Sequence, residues 1–155
     1  MAKVSKTNVM RVLEQHNIDY RSYQFEKKDR YRSMTELPVF KTLVTVGKSK
    51  ENYVFVVPVT SGLDLKKAAQ AAGEKNIQMI KEKDLLPLTG YVHGGCSPIG
   101  MKKELKTFID VSALEDETMI ISAGKVGVSV GMDPKEISEI IPVQFVDIKI
   151  DEEVK

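Results

Sequence analysis

The sequence predicts an α+β domain with a mixed, mostly antiparallel, barrel-like sheet of about seven strands and three to five short helices. Valine-rich runs separated by turn residues recur along the chain and indicate strands joined in hairpins. Short segments with helix-capping residues lie between these runs and indicate helices. The chain has 155 residues, of which 42% are hydrophobic and 29% charged, so we expect a single globular domain over residues 1–155.

The first predicted elements are a helix and a strand. Thr7 can cap a helix that runs to about His16, since Val9 and Leu13 recur at helical spacing. The segment Ile18–Phe25 then has the pattern of a strand.

A hairpin is predicted next. Lys27–Leu37 is polar and charged, which is typical of an exposed connection. Val39–Val46 and Tyr53–Val59 are rich in valine and predict two strands, joined through Gly47–Asn52.

A helix, a short strand and a helical turn are predicted in the middle of the chain. Asp64 can cap a helix over Leu65–Ala72, which Gly73 ends. Ile77–Ile80 has the pattern of a short strand, and Lys81–Leu86 that of a helical turn.

Three more strands are predicted after residue 106, over Thr107–Val111, Thr118–Ser122 and Val126–Val130. We expect Ala123–Lys125 to form the tight turn between the last two, because it has glycine at its centre.

The C-terminal part predicts one more helix and one more strand. Asp133, Pro134 and Glu136 match the N-cap, first and third positions of a capped helix. Pro142 ends this helix, and Val143–Ile150 predicts the closing strand.

Composition excludes several classes of function. The single cysteine, Cys96, rules out an internal disulfide and favours a reducing cytoplasm. No apolar run is long enough to cross a membrane. The net charge of +1 predicts that any contact with RNA is weak, salt-sensitive or assisted by a partner protein. His16, His93 and Cys96 lack the spacing of a metal site, and no phosphate-loop or dinucleotide motif occurs, so we expect neither metal nor cofactor.

The segment TGYVHGGCSPIGMKK is the first candidate site. Gly94, Gly95 and Gly100 let the backbone approach a ligand closely, and Ser97 and Pro98 lie between them. Such a loop can bind a carbonyl oxygen or a phosphate through its N–H groups. The same composition is also typical of an ordinary turn.

Lys41 is the most unusual side chain of the predicted strands. It shares one strand face with Val39 and Leu43, and the opposite face is apolar too. An ammonium group there either extends outward to water or lies at a cleft, where it binds a phosphate or a carboxylate.

Cys96 and His93 lie three residues apart beside the glycines, which is compatible with a thiol nucleophile and its base. A nucleophilic cysteine needs a lowered pKa and a base held in position by a third group. Proximity in a loop does not supply that arrangement, and a single cysteine more often packs as a small apolar side chain.

Five segments, taken together, resemble the YbaK/EbsC family of aminoacyl-tRNA deacylases, which is similar to the editing domain of bacterial prolyl-tRNA synthetases. They are FKTLV at 40–44, LDLKKAA at 63–69, TGYVHGGCSPIGMKK at 89–103, TFID at 107–110 and SAGKVGV at 122–128. The resemblance extends from about Thr7 to Ile148, and GMKKELKTFID favours the free-standing branch that hydrolyses Cys-tRNA(Pro).

The resemblance implies a site and a reaction. Lys41 would bind the phosphate or ribose region of the tRNA 3′ end. The loop containing Gly94, Gly95, Ser97, Pro98 and Gly100 would offer N–H groups to the aminoacyl carbonyl as charge develops on it. Polar side chains would line the pocket: Tyr20, Thr42 and Ser122. The substrate's own thiol or a water molecule would attack the ester, so no enzyme nucleophile is required.

The resemblance also implies partners, namely the acceptor end of mischarged tRNA(Pro) and prolyl-tRNA synthetase. Two features depart from the family pattern: Lys27–Leu37 is short, and Ser129 stands where some cysteine-specific members have an acidic residue. The sequence leaves three alternatives open: an editor of another mischarged tRNA such as Ala-tRNA(Pro), a non-catalytic module that binds aminoacyl-tRNA or the synthetase, and a thiol enzyme that uses Cys96. The oligomeric state is not determined by the sequence.

Overall fold

The computed structural model describes residues 6–25 and 37–151, which contain eight strands and three α-helices. The predicted connection Lys27–Leu37 lies almost entirely outside these residues. The strands are β1 Arg21–Gln24, β2 Phe40–Gly47, β3 Asn52–Pro58, β4 Ile77–Met79, β5 Lys106–Asp110, β6 Met119–Lys125, β7 Val128–Met132 and β8 Val143–Val146. The helices are α1 Asn8–Gln15, α2 Leu65–Ala72 and α3 Glu82–Thr89, with 3₁₀ helices at Val111–Glu115 and Pro134–Glu139.

The described strands form two sheets. The order is β1-β7-β6 in the smaller sheet and β4-β2-β3-β5-β8 in the larger one. Strand β3 pairs in parallel with β5, and β5 in parallel with β8, whereas the other pairings are antiparallel. The predicted α+β class with a mixed, mostly antiparallel sheet is therefore confirmed.

The barrel-like closure is not observed among the described strands. The two sheets are linked by a single parallel bridge between Val39 and Ile120, with a hydrogen bond from the Ile120 N–H to the Pro38 carbonyl (3.0 Å). Beyond this bridge, β2 and β6 diverge instead of pairing along their length. The sheets therefore stay open, and a gap remains beside β2.

The hydrophobic core lies on both faces of the larger sheet. Val54 and Val56 of β3 face the cluster that joins this sheet to α1 and to the smaller sheet. Tyr53, Phe55 and Val57 face the opposite cluster, which α2 covers with Ala68 and Ala69. Because β3 is buried on both faces, it reads in sequence as a continuous apolar run.

The β6–β7 turn differs from the predicted one. The strand continues to Lys125, and Val126–Gly127 forms the turn, whereas Ala123–Lys125 had been predicted. The pairing of β6 with β7 is irregular between Ser122 and Lys125. Gly124 (φ +91°) lies in this irregular stretch, where an added Cβ would be 2.8 Å from the Tyr91 ring. The glycine thus allows a close packing contact inside the strand and not a reversal of the chain.

Helix α3 is longer than the predicted helical turn. Acidic Glu82 and Asp84 in its first turn complement the helix dipole. Pro87 cannot donate a helical hydrogen bond, but the helix continues to Thr89 and ends at Gly90 in the left-handed conformation (φ +87°). The predicted turn, Lys81–Leu86, ends before this proline, whereas the helix continues through it.

The C-terminal elements are shorter than predicted. The segment after Asp133 is a 3₁₀ helix, whose first N–H groups are capped by the Asp133 carboxylate through the Lys135 N–H (2.9 Å). Strand β8 ends at Val146, because the chain then turns to place Ile148 and Lys149 against the buried Asp110 carboxylate.

Candidate active site

A cavity of about 420 Å³ lies beside the unpaired part of β2, in the size range of small-molecule sites. Its walls come from β2, from β6 and β7 near their turn, from α3 and from the glycine loop. The polar and charged side chains that line it are Lys41, Thr42, Glu82, His93, Ser122 and Ser129. Apolar walls come mainly from Phe40, Val44, Leu85 and Val128.

Lys41 is half-buried at this cavity, one residue inside the start of β2. None of the ion pairs among the described residues involves Lys41. The ammonium group therefore makes no ion pair in that part of the chain, which suits a side chain that receives an anionic ligand.

Three hydroxyl side chains line the cavity. Within the described residues, the Thr42 Oγ1 atom is buried and has no hydrogen-bond partner. Ser122 lies directly opposite Ser129 in the β6–β7 pairing, and its Oγ accepts a hydrogen bond from the Gly124 N–H (3.1 Å). The hydrogen-bonding capacity of the buried Thr42 hydroxyl is thus unused within that part of the chain.

The glycine loop reaches the cavity through Gly94 and Cys96. Gly94 has φ +86°, which a residue with a side chain rarely adopts. The Gly95 N–H donates to the Val92 carbonyl (3.0 Å) and is therefore not available to a ligand. Within the described part of the chain, the N–H groups of Cys96 and Ser97 donate to no backbone carbonyl. Of these two residues, Cys96 lines the cavity, so its N–H group is a loop donor placed beside a substrate oxygen.

Other predicted loop residues shape the loop and do not line the cavity. Gly100 (φ +78°) makes room for the Tyr91 hydroxyl, which would be 2.8 Å from an added Cβ and which donates to the Ile99 carbonyl (2.6 Å). Ser97 is fully buried, and its Oγ accepts from the Ile99 N–H (3.3 Å). Pro98 is buried beside it.

Tyr20 does not lie at this cavity. Its hydroxyl donates to the Glu14 carboxylate on α1 (2.7 Å), and its burial and this carboxylate raise the pKa of Tyr20 to about 12. The side chain instead borders a separate, acidic depression with Asp19 and Asp133. The structure therefore brings together Lys41, Thr42, Gly94 and Ser122, and it separates Tyr20 from them.

Cys96 lacks the environment of a nucleophile. The side chain is 8% exposed, and burial raises the pKa of the Cys96 thiol to about 11 despite a hydrogen bond with Thr89. Near neutral pH about one thiol in ten thousand is then ionised.

Sequence reasoning did not assign a role to Glu82 or Ser129 at the cavity. Glu82 belongs to no motif, and only the fold brings the start of α3 to the cavity beside β2. Ser129 had been noted only as a departure from the family pattern, yet the β6–β7 register places it opposite Ser122.

The described residues contain no group of three or more side chains that could bind a metal ion. Within the same ranges, no helix has the length and apolar character needed to cross a membrane.

Comparison with known proteins identifies the family. The family model described as the aminoacyl-tRNA editing domain matches residues 23–140, about three quarters of the chain. The chain belongs to the aminoacyl-tRNA editing domain family. The cavity, β2 and the glycine loop all lie within the matched segment of this editing domain.

Two curated relatives and one solved structure are similar to this editing domain. A protein of Enterococcus faecalis, named as a candidate Cys-tRNA(Pro)/Cys-tRNA(Cys) deacylase (EbsC), is 41% identical over 92% of this chain and 93% of its own. YwhH of Bacillus subtilis, whose name carries no function, is 28% identical over 65% of this chain and 64% of its own. A crystal structure described as a candidate trans-editing enzyme for prolyl-tRNA synthetase has a TM-score of 0.78 at 22% identity, covering 95% of this chain and all of that one.

These similarities confirm the predicted fold and the predicted resemblance. They also confirm the expectation of an aminoacyl-tRNA deacylase, since the editing-domain family and the deacylase-named relative agree.

Proposed function

We propose that this editing domain hydrolyses mischarged Cys-tRNA(Pro) in trans. The observation that carries the proposal is the convergence of Lys41, Thr42, Ser122 and the Gly94–Cys96 loop on one cavity of about 420 Å³. The E. faecalis relative, with its deacylase name and 41% identity, supports the cysteinyl ester as the substrate. Cysteine and proline are close in size, so the aminoacylation site of the synthetase discriminates them poorly. A second site must then remove cysteine from the mischarged tRNA.

In the proposed reaction, the Lys41 ammonium binds the phosphate or ribose region of the terminal nucleotide. Backbone N–H groups of the glycine loop, that of Cys96 among them, stabilise the negative charge that develops on the ester carbonyl oxygen. Water or the substrate's own thiol attacks the carbonyl carbon, and the 3′-oxygen of the adenosine leaves with a proton. The Cys96 thiol takes no part, because its raised pKa keeps it protonated.

The proposed partners follow from this reaction. The acceptor end of tRNA(Pro) enters the cavity. Prolyl-tRNA synthetase supplies the mischarged tRNA before the tRNA dissociates from the synthetase. We place this activity in the cytoplasm, where tRNA is charged. Because a net charge of +1 gives only weak attraction to tRNA, the synthetase shares in selecting the tRNA.

The test is deacylation of Cys-tRNA(Pro), Cys-tRNA(Cys), Ala-tRNA(Pro) and Pro-tRNA(Pro) by the purified protein and by Lys41→Ala. We expect rapid loss of the cysteinyl esters and a decrease in kcat/KM of at least about tenfold for Lys41→Ala, in the range for one lost charged contact. Lys103→Ala, which removes an exposed lysine that does not line the cavity, serves as the matched control.

Other outcomes would identify the alternatives. Faster loss of alanine from Ala-tRNA(Pro) would assign the sister specificity. Absence of hydrolysis, even with prolyl-tRNA synthetase added, would favour a non-catalytic module that binds aminoacyl-tRNA. A folded Lys41→Ala variant with wild-type rates would exclude the proposed role of Lys41.

A further inference from the structure

Among the described strands, β2 has an unpaired edge where the cavity lies. On the side opposite β3, β4 pairs with β2 only over Thr45–Gly47. At the other end of β2, Val39 forms a single bridge to Ile120. Between these points, no strand in residues 6–25 or 37–151 pairs with this edge over residues 40–44, and the cavity occupies the gap.

The direction of the backbone groups along this edge follows from neighbouring hydrogen bonds. The Val44 carbonyl accepts from the Ile80 N–H on the open side of β2 (3.3 Å), whereas the Val39 carbonyl accepts from the Val59 N–H on the β3 side. Backbone groups alternate between the two edges of a strand, so even-numbered residues of β2 face the open edge. The N–H and C=O of Thr42 therefore face the cavity.

The Thr42 side chain adds a second oxygen at the same place. Within the described residues, its Oγ1 atom is buried and has no hydrogen-bond partner, which is unfavourable unless a ligand supplies one. Thr42 thus has two acceptor oxygens in the wall of the cavity, the carbonyl that faces it and the buried hydroxyl. A carbonyl oxygen can only accept, so its ligand must carry a donor.

We propose that Thr42 binds the α-ammonium group of the esterified amino acid through its carbonyl oxygen and its Oγ1 atom. This inference rests on the proposed deacylase function and adds a substrate contact to it. The ester carbonyl has no donor, and a ribose hydroxyl has only one, whereas an ammonium group has three donors and can satisfy both oxygens. The editing site then requires a free α-amino group and rejects substrates in which that group is missing or acylated.

The test combines a substitution with a change in the substrate. Thr42→Val removes the hydroxyl but keeps the shape, and Thr42→Ser keeps the hydroxyl as the matched control. Each enzyme is assayed on Cys-tRNA(Pro) and on 3-mercaptopropionyl-tRNA(Pro), which has the same thiol and ester but no α-amino group. All rates are divided by the spontaneous hydrolysis rate of the same ester, because the ammonium group itself activates the ester.

After division by the spontaneous rate, we expect the wild-type kcat/KM to be at least about tenfold lower for the substrate without the amino group. A factor of this size is in the range for one charge-assisted hydrogen bond. Thr42→Val should lose a similar factor on Cys-tRNA(Pro) and little on 3-mercaptopropionyl-tRNA(Pro), while Thr42→Ser stays near wild type. An equal loss of Thr42→Val on both substrates would overturn the proposal. The proposal would also be overturned if Glu82→Gln lost the preference for the substrate with the α-amino group while Thr42→Val kept it.

A binding experiment separates this inference from the deacylase function. The probes are 3′-cysteinylamino-3′-deoxyadenosine, whose amide linkage resists hydrolysis, and its analogue without the α-amino group, both titrated by calorimetry. Tighter binding of the amino compound, by a margin that Thr42→Val reduces, would support the inference even if no ester is hydrolysed. Equal binding of both probes to the wild type would refute it, even if Cys-tRNA(Pro) is hydrolysed.

Discussion

Asp110 is a buried carboxylate with a structural role at the end of β5. It is 1% exposed, and its two oxygens accept hydrogen bonds from the N–H groups of Ile148 (2.9 Å), Lys149 (3.1 Å) and Ser112 (3.1 Å). Burial raises the pKa of Asp110, but these hydrogen bonds outweigh it and hold the pKa below the ordinary value of 3.8. The acid of the TFID segment therefore anchors the C-terminal chain to the larger sheet.

We expect Asp110→Asn to lower the free energy of unfolding by about 1–3 kcal/mol at pH 7, because the amide group offers one acceptor oxygen in place of two. A lowered pKa in the folded state stabilises the protein above pH 3.8, and this contribution is lost as the pH falls through the folded-state pKa. The difference between wild type and variant should therefore shrink in acid. Urea denaturation of both proteins from pH 7 to pH 2.5 measures it, and a constant difference would contradict the role of the charged form.

Cys96 should react slowly for a thiol that lines a cavity. Burial raises the pKa of Cys96 from 9.0 to about 11, so at pH 8 we expect alkylation by iodoacetamide about 100-fold slower in the folded protein than in urea. Cys96→Ala should keep deacylation within about threefold of wild type, since the proposed reaction does not use the thiol. Rapid alkylation of the folded protein with matching loss of activity would instead indicate a thiol enzyme.

At the scale of elements, the glycine loop depends on the β6–β7 turn for its position. An added Cβ at Gly95 would lie 3.0 Å from the Val126 backbone nitrogen and 3.3 Å from the Lys125 carbonyl carbon. The backbone of the turn cannot move aside as a flexible side chain can. Because Gly95 has no Cβ, the loop packs directly on the turn. This contact brings Cys96 and Ser122 to the same cavity.

We expect Gly95→Ala to displace the loop and to lower kcat/KM at least about tenfold, because the N–H donors of the loop would move away from the ester carbonyl. Gly73→Ala is the matched control. Gly73 has φ +72° at the end of α2, has no atom within 4 Å of an added Cβ and does not line the cavity. The control should lose about 1 kcal/mol of stability and keep wild-type kcat/KM. Wild-type activity in Gly95→Ala would show that the loop position is not critical.

At the scale of the whole molecule, the near-neutral charge limits the binding of tRNA. A net charge of +1 supports only a few phosphate contacts, so we expect weak binding that salt abolishes. Fluorescence anisotropy of labelled tRNA between 50 and 300 mM NaCl gives the slope of log Kd against log salt concentration. Removing one phosphate contact lowers this slope by about 0.7 for single-stranded RNA, which we expect for Lys41→Ala and not for Lys103→Ala. Tight, salt-resistant binding would contradict this expectation.

The fold was largely predictable because its strongest signals are local. The capping residues Thr7 and Asp64 and the valine-rich β2–β3 hairpin depend only on neighbouring residues, and the structure confirms the elements they predict. The β6–β7 turn was misplaced because Gly124 serves a contact with Tyr91, which is distant in sequence. Sheet closure was misjudged because strand propensity does not specify which edges pair.

The candidate site was predictable only in part. Lys41 stood out from the sequence because an ammonium group is unusual in a strand with two apolar faces, and it does line the cavity. Tyr20 gave no comparable signal, and the packing of its segment against α1 directs its hydroxyl to Glu14 and away from the cavity.

The sequence by itself determined the α+β class, most of the elements and the family, because these depend on local patterns and on short motifs in a given order. Only the tertiary structure decided which of the motif residues meet. It left the β2 edge at Thr42 unpaired among the described strands, placed Ser129 opposite Ser122, and buried Cys96, which raises the pKa of its thiol. The physical reason is that strand pairing, burial and hydrogen-bond satisfaction are properties of contacts between distant segments, which no single segment encodes.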